Sequence, residues 1–126
     1  MVYFISGHRN IDQEFFDRYY KPLLEAVLQN DPFPKFVVGD CEGVDTMAQD
    51  WLEKNVTKDI VTVYHMYDSP RHNAGPFKTV GGFKSDIERD EAMTRNSDID
   101  IAYIMKGRWT SGTAQNILRR YEVSDK

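Results

Sequence analysis

Short continuous apolar runs alternate with helical periodicities along the whole of this chain, and few folds accept that order. Residues 2–6 (VYFIS) form an apolar run closed by Gly7, the pattern of a strand buried on both faces. Ile11, Phe15, Tyr19, Leu23 and Val27 then recur at four-residue steps, as on one face of a helix. Asn10 with Gln13 suits an N-cap and its reciprocal partner, and Pro22 marks either a kink or a restart of the helix. A second run, 36–38, ends at Gly39, after which Val44, Met47, Ala48, Trp51 and Leu52 share a helical face. The third run is 60–67 (IVTVYHMY), followed by a loop-like segment, 68–82, of the length used for functional lids. A helix over 85–96 precedes a fourth run, 99–105 (IDIAYIM). The last helix opens near Gly112, with Ala114, Ile117, Leu118 and Tyr121 on one face.

Four βα units in succession predict an α/β fold, a three-layer Rossmann-like parallel sheet with helices on both faces. At 126 residues the chain fits one domain, 1–126, with neither repeat nor linker. The broad apolar helix faces, on so small a sheet, leave a homodimer open.

The charge balance narrows the partners. With 16 basic and 20 acidic side chains the net charge is -4, a field that repels nucleic-acid duplexes and favours a small metabolite. Cys41 is the single cysteine and cannot form an internal disulfide. The apolar start is too short for a signal peptide or a membrane span. A cytoplasmic protein without membrane attachment is the expectation. The histidines His8, His65 and His72 show no metal-ligand spacing with Cys41, and no cofactor or metal is expected.

In open parallel sheets ligands sit beyond the carboxyl ends of the strands, where strand order switches. The loops leaving those ends hold Gly7, His8 and Arg9, then Gly39, Asp40 and Gly43, then the lid, and lastly Ser111, Gly112 and Thr113. Glycine admits close backbone approach to an anion, and the amides at a helix start offer unpaired donors. The 39–43 and 111–113 loops therefore read as phosphate cradles, although ordinary N-caps and turns use the same residue types. Arg71, Lys78 and Lys84 give the lid a basic character, with His72 able to join them. Arg89 shares a helical face with Met93 and Asn96 and would reach a phosphate at Gly112; the alternative is a surface ion pair with Glu88 or Asp86. His65 lies within a strand, whereas His8 follows a strand end and suits a ligand contact.

The segment Gly39-Asp40-Cys41-Glu42-Gly43-Val44-Asp45 with Ala48 resembles the "Gly-Gly-x-x-Gly-x-Asp, then Ala" turn of the SLOG superfamily. That group includes the Lonely Guy phosphoribohydrolases and the DNA-processing protein A core. Arg89 to Met93 resembles its "Arg-Lys/Asn-x-x-Met" helix, and Ser111-Gly112-Thr113 the tail of its "Pro-Gly-Gly-x-Gly-Thr-x-x-Glu" motif. The resemblance implies binding of a nucleotide or nucleotide-derived ligand and, for the Lonely Guy members, hydrolysis of a nucleoside 5′-monophosphate at its N-glycosidic bond. It would place Arg89, Gly112 and Thr113 at the phosphate. The motif's closing Glu falls on Asn116, which cannot serve as a carboxylate. Its Lys falls on Asp90, and Arg108, Trp109 and Thr110 replace its Pro and first glycines. Asp45, Glu91, Asp40 and Glu42 are the carboxylates left to substitute, with Asp45, Arg89 and Glu91 the catalytic candidates. Two classes stay open: a phosphoribohydrolase-like enzyme, and a non-catalytic sensor of a nucleotide-derived signal.

Overall fold

In the computed structural model, which describes residues 1–109 and 111–124, the chain forms one five-stranded parallel sheet. Strands β1 (Val2–Ile5), β2 (Lys35–Val38), β3 (Val61–Met66), β4 (Lys78–Phe83) and β5 (Ile99–Ile101) lie in the order β4-β3-β2-β1-β5. Every pairing is parallel, from Val2↔Lys35 at the centre to Tyr3↔Ile99 on the β5 side. The helices are α1 (Gln13–Tyr19), α2 (Lys21–Asn30), α3 (Val44–Asn55), α4 (Asp86–Arg95) and α5 (Gly112–Ser124).

Alternation along the strands feeds two cores. Tyr3, Ile5, Phe36, Val38, Val61 and Val63 pack with Phe16, Leu24, Val44, Ala48 and Leu52 of α1, α2 and α3. Phe4, Val37 and Tyr64 face the other way, onto Ala92 and Met93 of α4. The sheet is thus covered on both sides, the three-layer α/β arrangement that the alternating pattern predicts.

Four local readings differ from the sequence pattern, each for a physical reason. Asp12, not Asn10, caps α1: it directly precedes the first helical residue, and its carboxylate accepts from Phe15 N at 2.8 Å. Pro22 lies in the first turn of α2, so the helix restarts, and the deepest side chains are Phe16, Tyr20 and Leu24, one position along from the expected stripe. Segment 68–82 is not wholly loop, because β4 occupies its second half. That strand carries two glycines and no apolar run; pairing with β3 forms it where propensity does not. β5 ends at Ile101 rather than 105. Beyond it, Tyr103 N donates to the Tyr20 hydroxyl at 3.0 Å and Met105 N to His8 Nε2 at 2.9 Å, so these amides leave the ladder. On α5 the expected apolar face is largely open: Leu118 and Tyr121 are exposed, while Thr113, Ala114 and Asn116 are buried against the site.

Candidate functional site

From β1 the chain crosses to β2 on one side, while β5 flanks β1 on the other, so strand order reverses between β1 and β5. A cavity of about 300 Å³ opens there, beyond the strand ends, where the open-sheet rule places ligands. Phe4 and Ser6 form its floor and the 7–10 loop one wall. α4 contributes Asp86, Arg89, Asp90 and Met93, and the start of α5 contributes Ser111, Gly112, Thr113 and Asn116. Ser111 caps α5, its Oγ accepting from Ala114 N at 3.2 Å, and Gly112 and Thr113 of the helix's first turn line the cavity beside it. Ser6 Oγ is buried on the floor without a hydrogen-bond partner among the described residues. A buried hydroxyl left unpaired costs free energy, and a polar ligand atom would answer it.

The loops are pinned before any ligand enters. Tyr20 donates its hydroxyl to Ser6 O at 2.8 Å and accepts from Tyr103 N, spanning the exits of β1 and β5. His8 is buried, and its Nε2 accepts from Met105 N, which requires the neutral ring; burial, with Arg108 nearby, lowers its pKa in agreement.

Beneath the cavity runs a charged network. Arg89 is 4% exposed. Its Nη1 donates to Asp40 Oδ1 at 2.9 Å and to Cys41 Sγ at 3.3 Å, and its Nη2 and Nε donate to Asp90 Oδ1 at 2.9 and 3.1 Å. Burial opposes its charge, but Asp90 and Asp45 outweigh burial and raise its pKa. Asp90 Oδ2 accepts from Asn116 Nδ2 at 3.1 Å, and Asn116 Oδ1 accepts from Arg119 at 2.7 Å. Arg71 grips Asp40 through its backbone N–H at 2.8 Å and through Nη2 at 2.8 Å. Gln49, fully buried, donates to Gly39 O and His72 O and accepts from Ala74 N. The segment after β3 is therefore tied to the site, Arg71 through its side chain and His72 through its carbonyl, while Lys78 and Lys84 are exposed on and beyond β4.

Asp45 sits in the first turn of α3, buried, and lines the cavity. Its Oδ2 accepts from Cys41 N at 3.1 Å. Burial raises its pKa to about 7; Arg89 opposes the rise and Asp90 reinforces it. A carboxyl whose folded pKa exceeds its unfolded value favours folding at low pH, and that advantage fades as pH climbs from about 4 to about 7. Asp45→Asn, nearly isosteric, removes the cost of burying the charge. We expect the variant's stability relative to wild type to rise by at least about 1 kcal/mol between pH 5 and pH 8. Urea denaturation at the two pH values would show it, and an unchanged difference would mean that Asp45 ionises normally.

The structure brings most expected residues together but changes several roles. Gly7, His8, Arg9, Asp45, Arg89, Ser111, Gly112, Thr113 and Asn116 all line the cavity. Gly39 and Gly43 do not. A Cβ at Gly39 would meet Asp45 Oδ2 at 2.5 Å and the Arg89 guanidinium at 2.9 Å, so that glycine makes room for the ion network. Gly43, at φ 80°, lets α3 begin against the carbonyls of His8 and Arg9. Neither is a phosphate cradle. Asp40 is consumed by Arg71 and Arg89 below a second, adjoining cavity. Glu91 points to solvent from the outer side of α4 and drops out as a site residue. Arg89 does pair with Asp86, at 3.1 Å, but the pair is buried on the Arg89 side rather than at the surface. With Asp40 and Asp90 occupying most of its donors, Arg89 is not a free phosphate hand. Sequence reasoning passed over Ser6, and met Asp86 and Asp90 only as a surface partner for Arg89 and as a departure from the family motif. The helical step from Arg89 to its neighbours in α4 was the available signal for placing both at the site.

Fold and site together define a doubly wound parallel α/β protein with a polar crevice at its switch point. No family model, no curated protein and no solved structure matches the chain. Among the described residues no group of His, Cys, Asp or Glu side chains is arranged to hold a metal ion, and no helix is long and apolar enough to cross a membrane.

Proposed function

We propose that the chain binds a nucleotide or nucleotide-derived ligand in the β1/β5 crevice and hydrolyses its N-glycosidic bond. The observation that carries the reading is the pair of carboxyl groups lining one cavity, the buried Asp45 of α3 and the Arg89-bound Asp90 of α4. Asp45, with its pKa near 7, holds a proton to give to the departing base. Asp90, fixed by Arg89 and Asn116, presents a carboxylate to the sugar carbon as positive charge develops there. The amides at the start of α5, with Ser111 and Thr113, would receive the phosphate, and Ser6 Oγ a sugar hydroxyl. The resemblance to the SLOG superfamily supports the same reading. Where that motif has a Lys and a Glu, this chain has Asp90 and Asn116, hydrogen-bonded to each other, so the carboxylate has moved from α5 to α4.

A second reading, a sensor that binds without turnover, is favoured by Asn116 itself, whose amide is held by Asp90 and Arg119 on both sides. A panel of nucleoside 5′-monophosphates and NAD-derived nucleotides, followed by thermal shift and by chromatography of released base, separates the two. Hydrolysis predicts stabilisation together with free base, the rate falling by about 10²–10⁴-fold in Asp45→Asn. Stabilisation without base would establish the sensor. Absence of any stabilisation would remove the nucleotide reading.

A further inference from the structure

Three guanidinium groups from three separate segments converge on one carboxylate, Asp86, in the first turn of α4. Its Oδ2 accepts from Arg9 Nη2 at 2.8 Å, and its Oδ1 from Arg71 Nη2 at 2.9 Å. Arg89 Nη1 lies 3.1 Å from the same Oδ1. The neighbouring acids are already engaged: Asp40 by Arg71 and Arg89, Asp90 by Arg89 and Asn116. Among the described residues Arg9 makes no other ion pair. The convergence point faces solvent, with Arg9 53% and Asp86 35% exposed. It also lies where two cavities meet. Arg9 and Cys41 line both the first cavity and a second of about 320 Å³ bounded by Asp40, Arg71 and His72.

Arg89 is already committed to Asp40 and Asp90, so the two oxygens and one charge of Asp86 serve chiefly the exposed forks of Arg9 and Arg71, each with further donors to give. A terminal phosphoryl group offers three oxygens and up to two charges, the better match for clustered guanidiniums. Asp86 can also leave without large loss, because at the start of α4 its charge remains favourable to the helix when the side chain turns to water.

We propose that Arg9 and Arg71, with the buried charge of Arg89 behind them, form a second anion site, for a phosphoryl group, which Asp86 fills as a built-in competitor that the ligand displaces. The identity of the rest of the ligand rests on the nucleotide reading above, which this site deepens: a ligand spanning both cavities carries a second phosphoryl group, as a nucleoside diphosphate or a doubly phosphorylated nucleoside does. Anion recognition itself does not depend on that reading, and the test uses no nucleotide.

The experiment is calorimetric titration with inorganic pyrophosphate at low ionic strength, on wild type, Asp86→Asn and the double variant Asp86→Asn with Arg9→Gln. Removing the competitor should tighten pyrophosphate binding by about tenfold, equivalent to about 1.4 kcal/mol, and adding Arg9→Gln should cancel the gain. Equal or weaker binding by Asp86→Asn, a gain that survives Arg9→Gln, or no binding by any of the three at millimolar pyrophosphate would each overturn the site. Urea denaturation checks that Asp86→Asn is folded. If it is not, Arg9→Gln alone decides, since the exposed Arg9 can be replaced without disturbing the core: its pyrophosphate affinity should fall about fivefold below wild type, and an unchanged value overturns the proposal. Failure of the nucleotide reading looks different, as absence of monophosphate stabilisation with the pyrophosphate effect intact.

Discussion

Arg89→Ala is expected to lower the free energy of unfolding by about 3–5 kcal/mol, the loss seen when one partner of a buried ion network is removed. The substitution leaves Asp40, 1% exposed in its side chain, with Arg71 alone, and Asp90, 15% exposed, with only an amide. It also opens a void under the cavity floor beside Gly39. The pH dependence follows from Asp40. Burial pushes its carboxyl upward, but Arg71 and Arg89 outweigh burial and hold it below the usual range. A carboxyl with a depressed folded pKa stabilises the fold fully above its unfolded value and loses that contribution as pH falls below about 4. The penalty in Arg89→Ala should therefore be large at pH 7 and shrink toward pH 3. Urea denaturation across that range measures it, with Arg89→Lys as a comparison that restores charge without the planar fork. A loss below about 1 kcal/mol at pH 7 would mean that the network is not the keystone described above.

The second large effect concerns Gly43→Ala. Glycine at φ 80° adopts backbone that an L side chain resists. A Cβ there would also lie 2.5 Å from the carbonyl oxygens of both His8 and Arg9. Those are main-chain atoms of the loop that walls the cavity, and they cannot rotate aside as a side-chain tip would. Strain and overpacking together should cost about 2–4 kcal/mol. The first loop would be pushed outward, taking His8 from Met105 and Arg9 from Asp86. Gly107, with φ 82° and nothing within 4 Å of an added Cβ, isolates the conformational part; Gly107→Ala should cost about 1–2 kcal/mol. Comparable losses at the two positions, in matched denaturation curves, would show that the close approach at Gly43 contributes nothing.

The fold was legible because β1 and β2 carry continuous apolar runs and β3 a mostly apolar one, all largely buried, that local pattern detects. β4 was not, since an edge strand reading Lys-Thr-Val-Gly-Gly-Phe draws its geometry from β3 rather than from its own residues. The site was legible as a set of loops, because topology alone brings strand ends to one edge. Its roles were less so. A glycine with open space around it and one that admits a neighbouring loop look alike in sequence, and Gly112 and Gly43 are one of each kind. Asp90 was harder to single out because half of its setting comes from Asn116, 26 positions away, beside the contact with its neighbour Arg89. Asp86 was in view only as a partner for Arg89, because its contacts with Arg9 and Arg71 come from loops 77 and 15 positions away.

The Tyr20 hydroxyl, held between Ser6 O and Tyr103 N, belongs to neither strand that borders the crevice. It sits at the joint where α1 gives way to α2, its hydroxyl reaching the Ser6 and Gly7 end of the cavity from the helical layer. The gap between the two strand exits is therefore gauged from within the helical layer, by a single rigid ring anchored on Phe16. Loop residues can diverge and alter which chemical groups are recognised while the calibre of the opening stays as the helix joint dictates. Change at that joint would resize the opening with every recognition residue still in place.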